Sequence, residues 1–173
     1  MTFVAPRKTS GLAAMLAGIE DAVAAGPENL PGRAAAAIEA HLREPDLLAP
    51  TACPSCPNSY IRHLLHADAA GRYAVVALVW RPGQMSPVHA HRTWCALGIH
   101  RGVLCEAFYD FPEGKPQPVQ SAAVLREQGA ISHGPADPRL IHRLANLGTA
   151  EAVSIHVYGA SFDRFGQDVN QIF

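Results

Sequence analysis

Apolar residues recur on two different periods along this chain, and the change of period divides it. Leu12, Met15, Leu16, Ile19 and Val23 fall at i, i+3, i+4, i+7 and i+11, the stripe that one face of an α-helix presents. Thr9 or Ser10 can cap the start of that helix. A second alanine-rich stretch, from Pro31-Gly32-Arg33-Ala34 through Leu42, reads as a helix over about 31–43. Pro45, Pro50, Pro54 and Pro57 then end the helical pattern. From about Tyr60 the text changes to short β-type runs separated by Gly, Pro and Asp. Tyr73–Trp80, Ala96–Ile99, Leu104–Tyr109, Ala122–Leu125 and Val153–Tyr158 are the clearest of them. Strands at this spacing predict a sandwich or small barrel. The expectation is one mainly β domain over 1–173, with a helical N-terminal layer (about 10–45) packed on a β-barrel (about 60–173).

Composition supports a globular chain: 173 residues, 49% hydrophobic and 17% charged. No apolar run reaches the roughly 18 residues of a membrane span. Arg7 and Lys8 precede an apolar stretch, and Ala22-Val23-Ala24 resembles a leader cleavage site, but Glu20 and Asp21 interrupt it. The helical stripe accounts for the same residues better, which predicts a cytoplasmic protein. Fourteen Lys+Arg against fifteen Asp+Glu, a formal charge of −1, argues against a polyphosphate-binding surface. No aromatic-basic platform for single strands is visible either, so neither nucleic acid nor membrane is expected as a partner.

Nine histidines in a near-neutral chain make metal chemistry the first idea to test. The basic residues are also lopsided, Arg apart from Lys8 and Lys115. Cys53-Pro-Ser-Cys56 has zinc-knuckle spacing, but no second close pair follows it, so it reads as a Pro-rich loop with incidental thiols. The informative segment is Gly83-Gln84-Met85-Ser86-Pro87-Val88-His89-Ala90-His91. On a strand, residues i and i+2 share a face, so His89 and His91 can offer two imidazoles to one ion. Ile141-His142-Arg143-Leu144-Ala145-Asn146 offers His142 on a later β-type stretch. Further on, Ser154, His156 and Tyr158 share one face of a run whose other face carries Val153, Ile155 and Val157. That face can form a Ser–His–Tyr hydrogen-bond relay ending in a positioned phenol, or it can be the wet face of an ordinary strand.

The two histidine segments resemble the two motifs of the cupin superfamily. Gly83, His89, His91 and Gly102 fall in register with the first motif, whose Glu position holds Cys95. Gly129, Pro135, His142 and Asn146 fit the second, with a Pro-to-His stretch about two residues longer than usual. Ser154-x-His156-x-Tyr158 following such a site, with Tyr60-Ile61-Arg62 ahead of the first β run, resembles the cupin-fold thiol dioxygenases, the cysteine dioxygenase and 3-mercaptopropionate dioxygenase group. The resemblance implies Fe(2+) held by His89, His91 and His142, with Ser154, His156 and Tyr158 as the catalytic relay. It implies oxidation of a small carboxylate-bearing thiol by O2 to the sulfinic acid. Arg62 is then the carboxylate clamp, and Arg164, downstream of the relay, is the other candidate. Cys95 stands where some of these enzymes carry a Cys joined by a thioether to the tyrosine, so Cys95 and Tyr158 are a possible crosslinked pair.

Three departures carry expectations of their own. Without the motif Glu, a three-His site has one negative charge less and about three open positions on a six-coordinate iron. His-Ala-His replaces the usual His-Asp-His and is followed by Arg92, so the ligands are expected to lack a neighbouring carboxylate and to gain a cation. That cation would favour a dicarboxylic thiol. His63 and His66 fall near Arg62, with a surface or packing role favoured over a pocket one. The competing readings are a non-catalytic metal- or ligand-binding cupin, and a cupin enzyme of other metal chemistry such as a quercetinase-like dioxygenase.

Overall fold

A computed structural model describes residues 10–49 and 51–173. Helix α1 (Gly11–Ala24) begins at Ser10, whose hydroxyl accepts from the Ala13 amide at 3.2 Å and satisfies one of the free N–H groups of the first turn. Thr9 lies outside the described residues. Leu12, Met15 and Ile19 of the stripe are buried. Helix α2 (Leu30–Glu39) starts with Pro31 in its first turn, where a missing N–H costs nothing. It is shorter than its alanine content predicts, and turns follow it, although Leu42 and Leu47 beyond its end remain buried.

Ten strands follow: β1 (Ile61–Ala67), β2 (Ala74–Trp80), β3 (His89–His91), β4 (Cys95–Arg101), β5 (Val103–Asp110), β6 (Val119–Glu127), β7 (Ile131–Gly134), β8 (Asp137–Ala145), β9 (Ala152–Tyr158) and β10 (Asn170–Ile172). A turn of 3₁₀-helix (Phe162–Arg164) and the short α3 (Phe165–Asp168) join the last two. They form two antiparallel five-stranded sheets, β1-β2-β9-β4-β7 and β10-β3-β8-β5-β6. The fold is mainly β with an N-terminal helical layer, as the patterning predicts. The expected barrel takes the form of two facing sheets, with no strand pairing between them among the described residues.

The period-2 alternation of the first sheet explains its place in the molecule. Val75, Ala96, Ile155 and Val157 point outward into a core with Met15, Ile19, Ile38 and Leu42 of the helical segment. Val76, Leu78, Trp80, Leu97 and Ile99 point the other way, into a core shared with Leu104 and Leu144 of the second sheet. Both faces are covered, which is why every residue of β2 and β9 is buried. Gly98 sets the approach of α2: a Cβ there would meet Leu42 Cδ1 at 2.6 Å and Ile38 Cγ2 at 2.8 Å. Gly102, at φ +77°, turns β4 into β5 beside the Glu151 carbonyl. Buried Asn146 ties β2 to the β8–β9 turn, donating to the carbonyls of Trp80 at 2.9 Å and Ala150 at 2.8 Å.

Candidate active site

The space between the sheets receives different chemistry from each. From the second sheet come three imidazoles. His89 stands directly opposite His142 in the β3–β8 ladder, and His91 stands opposite Asn170 of β10. A register irregularity between His89 and His91 bends β3. One ligating nitrogen from each of the three lies within 4.8 Å of the other two, and all three residues are largely buried. Among the described residues, no other His, Cys, Asp or Glu cluster is placed to hold a metal ion.

The tautomers follow from the partners. His89 Nδ1 lies 3.0 Å from the Pro87 carbonyl, His91 Nδ1 3.0 Å from Asn170 Oδ1, and His142 Nδ1 2.9 Å from Glu106 Oε1. Each partner atom is an acceptor, so each Nδ1 carries the proton and each Nε2 presents a lone pair. Two of those lone pairs, on His91 and His142, face one another at 3.0 Å. Convergent lone pairs repel unless a cation lies between them. Their separation is that of neighbouring ligands with nitrogen–metal bonds of roughly 2.0–2.1 Å. The residues therefore fit a metal ion. Burial, followed by the neighbouring His142, pushes the pKa of His89 down to about 4 and that of His91 to about 3, which keeps both imidazoles neutral and ligating.

From the first sheet come a relay and a cation. Ser154 Oγ is 2.8 Å from His156 Nε2, and His156 Nδ1 is 3.0 Å from Tyr158 Oη, all three residues buried. The polar face of β9 is thus enclosed rather than wet. Trp80, which in the sequence reads only as the end of an apolar run, donates its indole N–H to Ser154 Oγ at 2.9 Å. Burial, then Cys95, raises the pKa of Tyr158 above its ordinary range, so the phenol stays protonated. Arg62, opposite Leu78 and in one row with Ser154 across the sheet, is exposed at the cavity mouth. It donates to Tyr60 Oη at 3.2 Å, and Tyr60 stacks on Trp80 with ring centroids 4.4 Å apart. Tyr60, Arg62, Trp80, the three imidazoles, His156, Tyr158 and Asn170 line one cavity.

A family model described as cysteine dioxygenase type I matches residues 54–167, a span that includes every one of these residues except Asn170. The chain belongs to the cysteine dioxygenase type I family. Among solved structures it is similar to the TT1209 protein of Thermus thermophilus, with 16% identity over 62% of this chain and 90% of that one, at a TM-score of 0.49. It is similar to an uncharacterized double-stranded β-helix protein from Klebsiella pneumoniae, with 20% identity over 66% and 88%, at 0.47. An oxalate oxidase in complex with the substrate analogue glycolate is 18% identical over 61% of this chain, at 0.46, and the chain spans 53% of that protein's length.

Within this cysteine dioxygenase family member, other expected residues fall elsewhere. Arg164 does not line the cavity. It follows the turn after β9, pairs with Asp168 at 2.6 Å, and borders a separate surface cleft. Arg92 borders the same outer cleft and donates to the Asn170 carbonyl at 3.3 Å, so it does not bring its charge to the triad. The expected lack of a nearby carboxylate is corrected by Glu106, on β5, behind His142. A signal for it existed: Glu106 alternates with Leu104 and Phe108 on a face that should be apolar. Cys95 stands opposite Tyr158 in the β4–β9 ladder, and both are buried in the core between the sheets. Its thiol is pushed up to about 12 by burial and then by Glu106. Among the remaining histidines, His63 Nε2 reaches the Pro54 carbonyl at 2.8 Å, His66 packs on Tyr73, and His100 Nδ1 holds the Leu42 carbonyl at 3.0 Å. Cys53 and Cys56 are free thiols.

Proposed function

We propose that this protein is an iron(II) thiol dioxygenase that converts a small carboxylate-bearing thiol, of the cysteine or 3-mercaptopropionate class, to its sulfinic acid. The observation that carries the reading is the convergence of three imidazole lone pairs opposite a phenol relay and an arginine in one cavity. His89, His91 and His142 would hold the iron, which supplies the site for thiolate and dioxygen when bound. Neutral imidazoles suit Fe(II), and a soft thiolate suits the open positions that remain.

The chain's own residues do the rest. Arg62, with Tyr60, fixes the carboxylate of the thiol at the mouth of the cavity and so aims its sulfur at the imidazoles. The relay has a direction. An indole N–H can only donate, so of the two side-chain partners of Ser154 Oγ among the described residues, Trp80 and His156, only His156 Nε2 can accept the hydroxyl proton. His156 then carries its proton on Nδ1 and gives it to Tyr158 Oη. The phenol proton is left free to point into the cavity, where it stabilises negative charge developing on the reactants. Burial holds the His156 pKa well below its ordinary value, so the ring orients Tyr158 without becoming charged. The walls of Leu78, Trp80 and Leu144 exclude water.

Two arginine variants test this reading. With anaerobically iron-loaded protein and a panel of small thiols, Arg62→Gln is expected to lose about tenfold to hundredfold in kcat/KM, the value of a hydrogen bond to a charged group, for carboxylate-bearing thiols only. Arg164→Gln is expected to behave as wild type. A wild-type protein that takes up no oxygen with any small thiol would reject the function.

A further inference from the structure

β5 carries a charge where its inward face calls for a hydrophobe. Leu104, Glu106 and Phe108 alternate on that face, and Glu106 is 1% exposed. An unpartnered carboxylate at such a depth is prohibitive, and this one is fully engaged. Its Oε1 accepts from His142 Nδ1 at 2.9 Å and from the Ser132 hydroxyl at 3.1 Å, while Oε2 accepts from Arg126 Nε at 2.8 Å. The other two imidazoles have neutral partners, a backbone carbonyl for His89 and an amide for His91. Among the described residues, His142 is the one imidazole of the three backed by an anion.

We propose that Glu106 is a positioning residue that sets the charge of the metal centre: its carboxylate acts through His142 to restore the negative charge absent at Cys95, and Arg126 offsets part of it. A carboxylate on Nδ1–H fixes the ring and makes Nε2 a stronger donor to an ion. Arg126 draws on the same carboxylate from its other oxygen, and its side chain is only 24% exposed, so the attraction is weakly screened. The two residues therefore push the centre in opposite directions. The inference rests on the reading of the triad as a metal site.

Two variants of the full chain separate charge from mere structure. Glu106→Gln keeps the shape and an acceptor atom but removes the charge; Arg126→Gln removes the offsetting cation. Stripped protein is titrated with Co2+ against a competing chelator, and the Fe(III)/Fe(II) midpoint potential of iron-loaded protein is measured. E106Q is expected to bind Co2+ about tenfold to hundredfold more weakly and to have a higher potential. R126Q is expected to have a lower potential than wild type. A purely structural role would move both variants the same way. Wild-type affinity and potential in both variants, or shifts of one sign, would overturn the proposal. Should E106Q fail to fold, judged by the melting of metal-free protein, the sign of the R126Q shift decides alone. A wild-type chain that binds no Co2+ overturns the metal reading and this inference with it, whereas Co2+ bound equally by wild type and E106Q overturns only the latter.

Discussion

Trp80 shows how much a single donor can decide. A Ser–His–Tyr chain can run in either direction, and with the opposite polarity the Tyr158 proton would be spent on His156 rather than offered to the cavity. The indole cannot accept, which leaves His156 Nε2 as the acceptor in reach of the Ser154 hydroxyl proton. Trp80→Phe keeps an aromatic ring against Tyr60 while removing the N–H and part of the indole, so kcat is expected to fall by about tenfold or more while the KM for the thiol stays near wild type. A rise in KM with kcat unchanged would mean that Trp80 serves the pocket wall and not the relay. The histidines and the Ser154–His156–Tyr158 face are visible from spacing alone, because i, i+2 alternation is a local property of a strand. Trp80 and Asn170 are not, since their partners lie 74 and 79 residues away in the chain and nothing local marks them as donor or acceptor. Glu106 falls between these cases, a charge on an apolar face that pattern could flag but whose partners only the fold reveals.

At the scale of elements, the two sheets divide the labour. The second supplies the imidazoles and their supports, and the first supplies the relay and Arg62, so the cavity depends on the sheets facing each other at a fixed spacing. The helical layer stiffens the outer side of the first sheet, with Ile38 and Leu42 pressed against Gly98. Ile38 is wholly buried, and Ile38→Ala is expected to cost about 2–5 kcal/mol, lowering the melting temperature by about 2–4 °C for each kcal/mol. Because Ile38 lies on the far side of the sheet from the cavity, metal affinity in the folded variant is expected to stay unchanged. Unchanged melting would contradict the role given to that layer. The long hydrophobic strands and the amphipathic stripe of α1 are legible because each repeats its period several times. The three-residue strands β3 and β10 are not, since a run that short has no period and exists through pairing with distant partners. The alanines of α2 overextend it, because tertiary packing rather than propensity determines where a marginal helix stops.

At the scale of the molecule, burying three unprotonated imidazoles ties folding to pH. His89 and His91 have native pKa values of about 4 and about 3 against an ordinary value of 6.5, and His156 is also depressed. Below pH 6.5 the unfolded chain takes up protons that the native state refuses, so stability of the metal-free protein is fully present above that pH and is lost as pH falls towards 4 and 3. Urea denaturation midpoints are expected to drop between neutrality and about pH 5, and a midpoint that rises on acidification would contradict the burial of neutral imidazoles. Among the described residues no helix is long and apolar enough to cross a membrane.

On the proposed function, iron held by the three imidazoles, with the relay and Arg62 beside it, would bring both atoms of O2 to the sulfur of a thiol. The measurement that tests this most directly is the reaction of iron-loaded protein with cysteine or 3-mercaptopropionate under isotopically labelled dioxygen, read by mass spectrometry of the product. A sulfinic acid carrying both labelled oxygen atoms, formed by the wild type and absent with His142→Ala, is the predicted result. Product with unlabelled oxygen, a disulfide as the sole product, or equal turnover by the His142→Ala variant would contradict it.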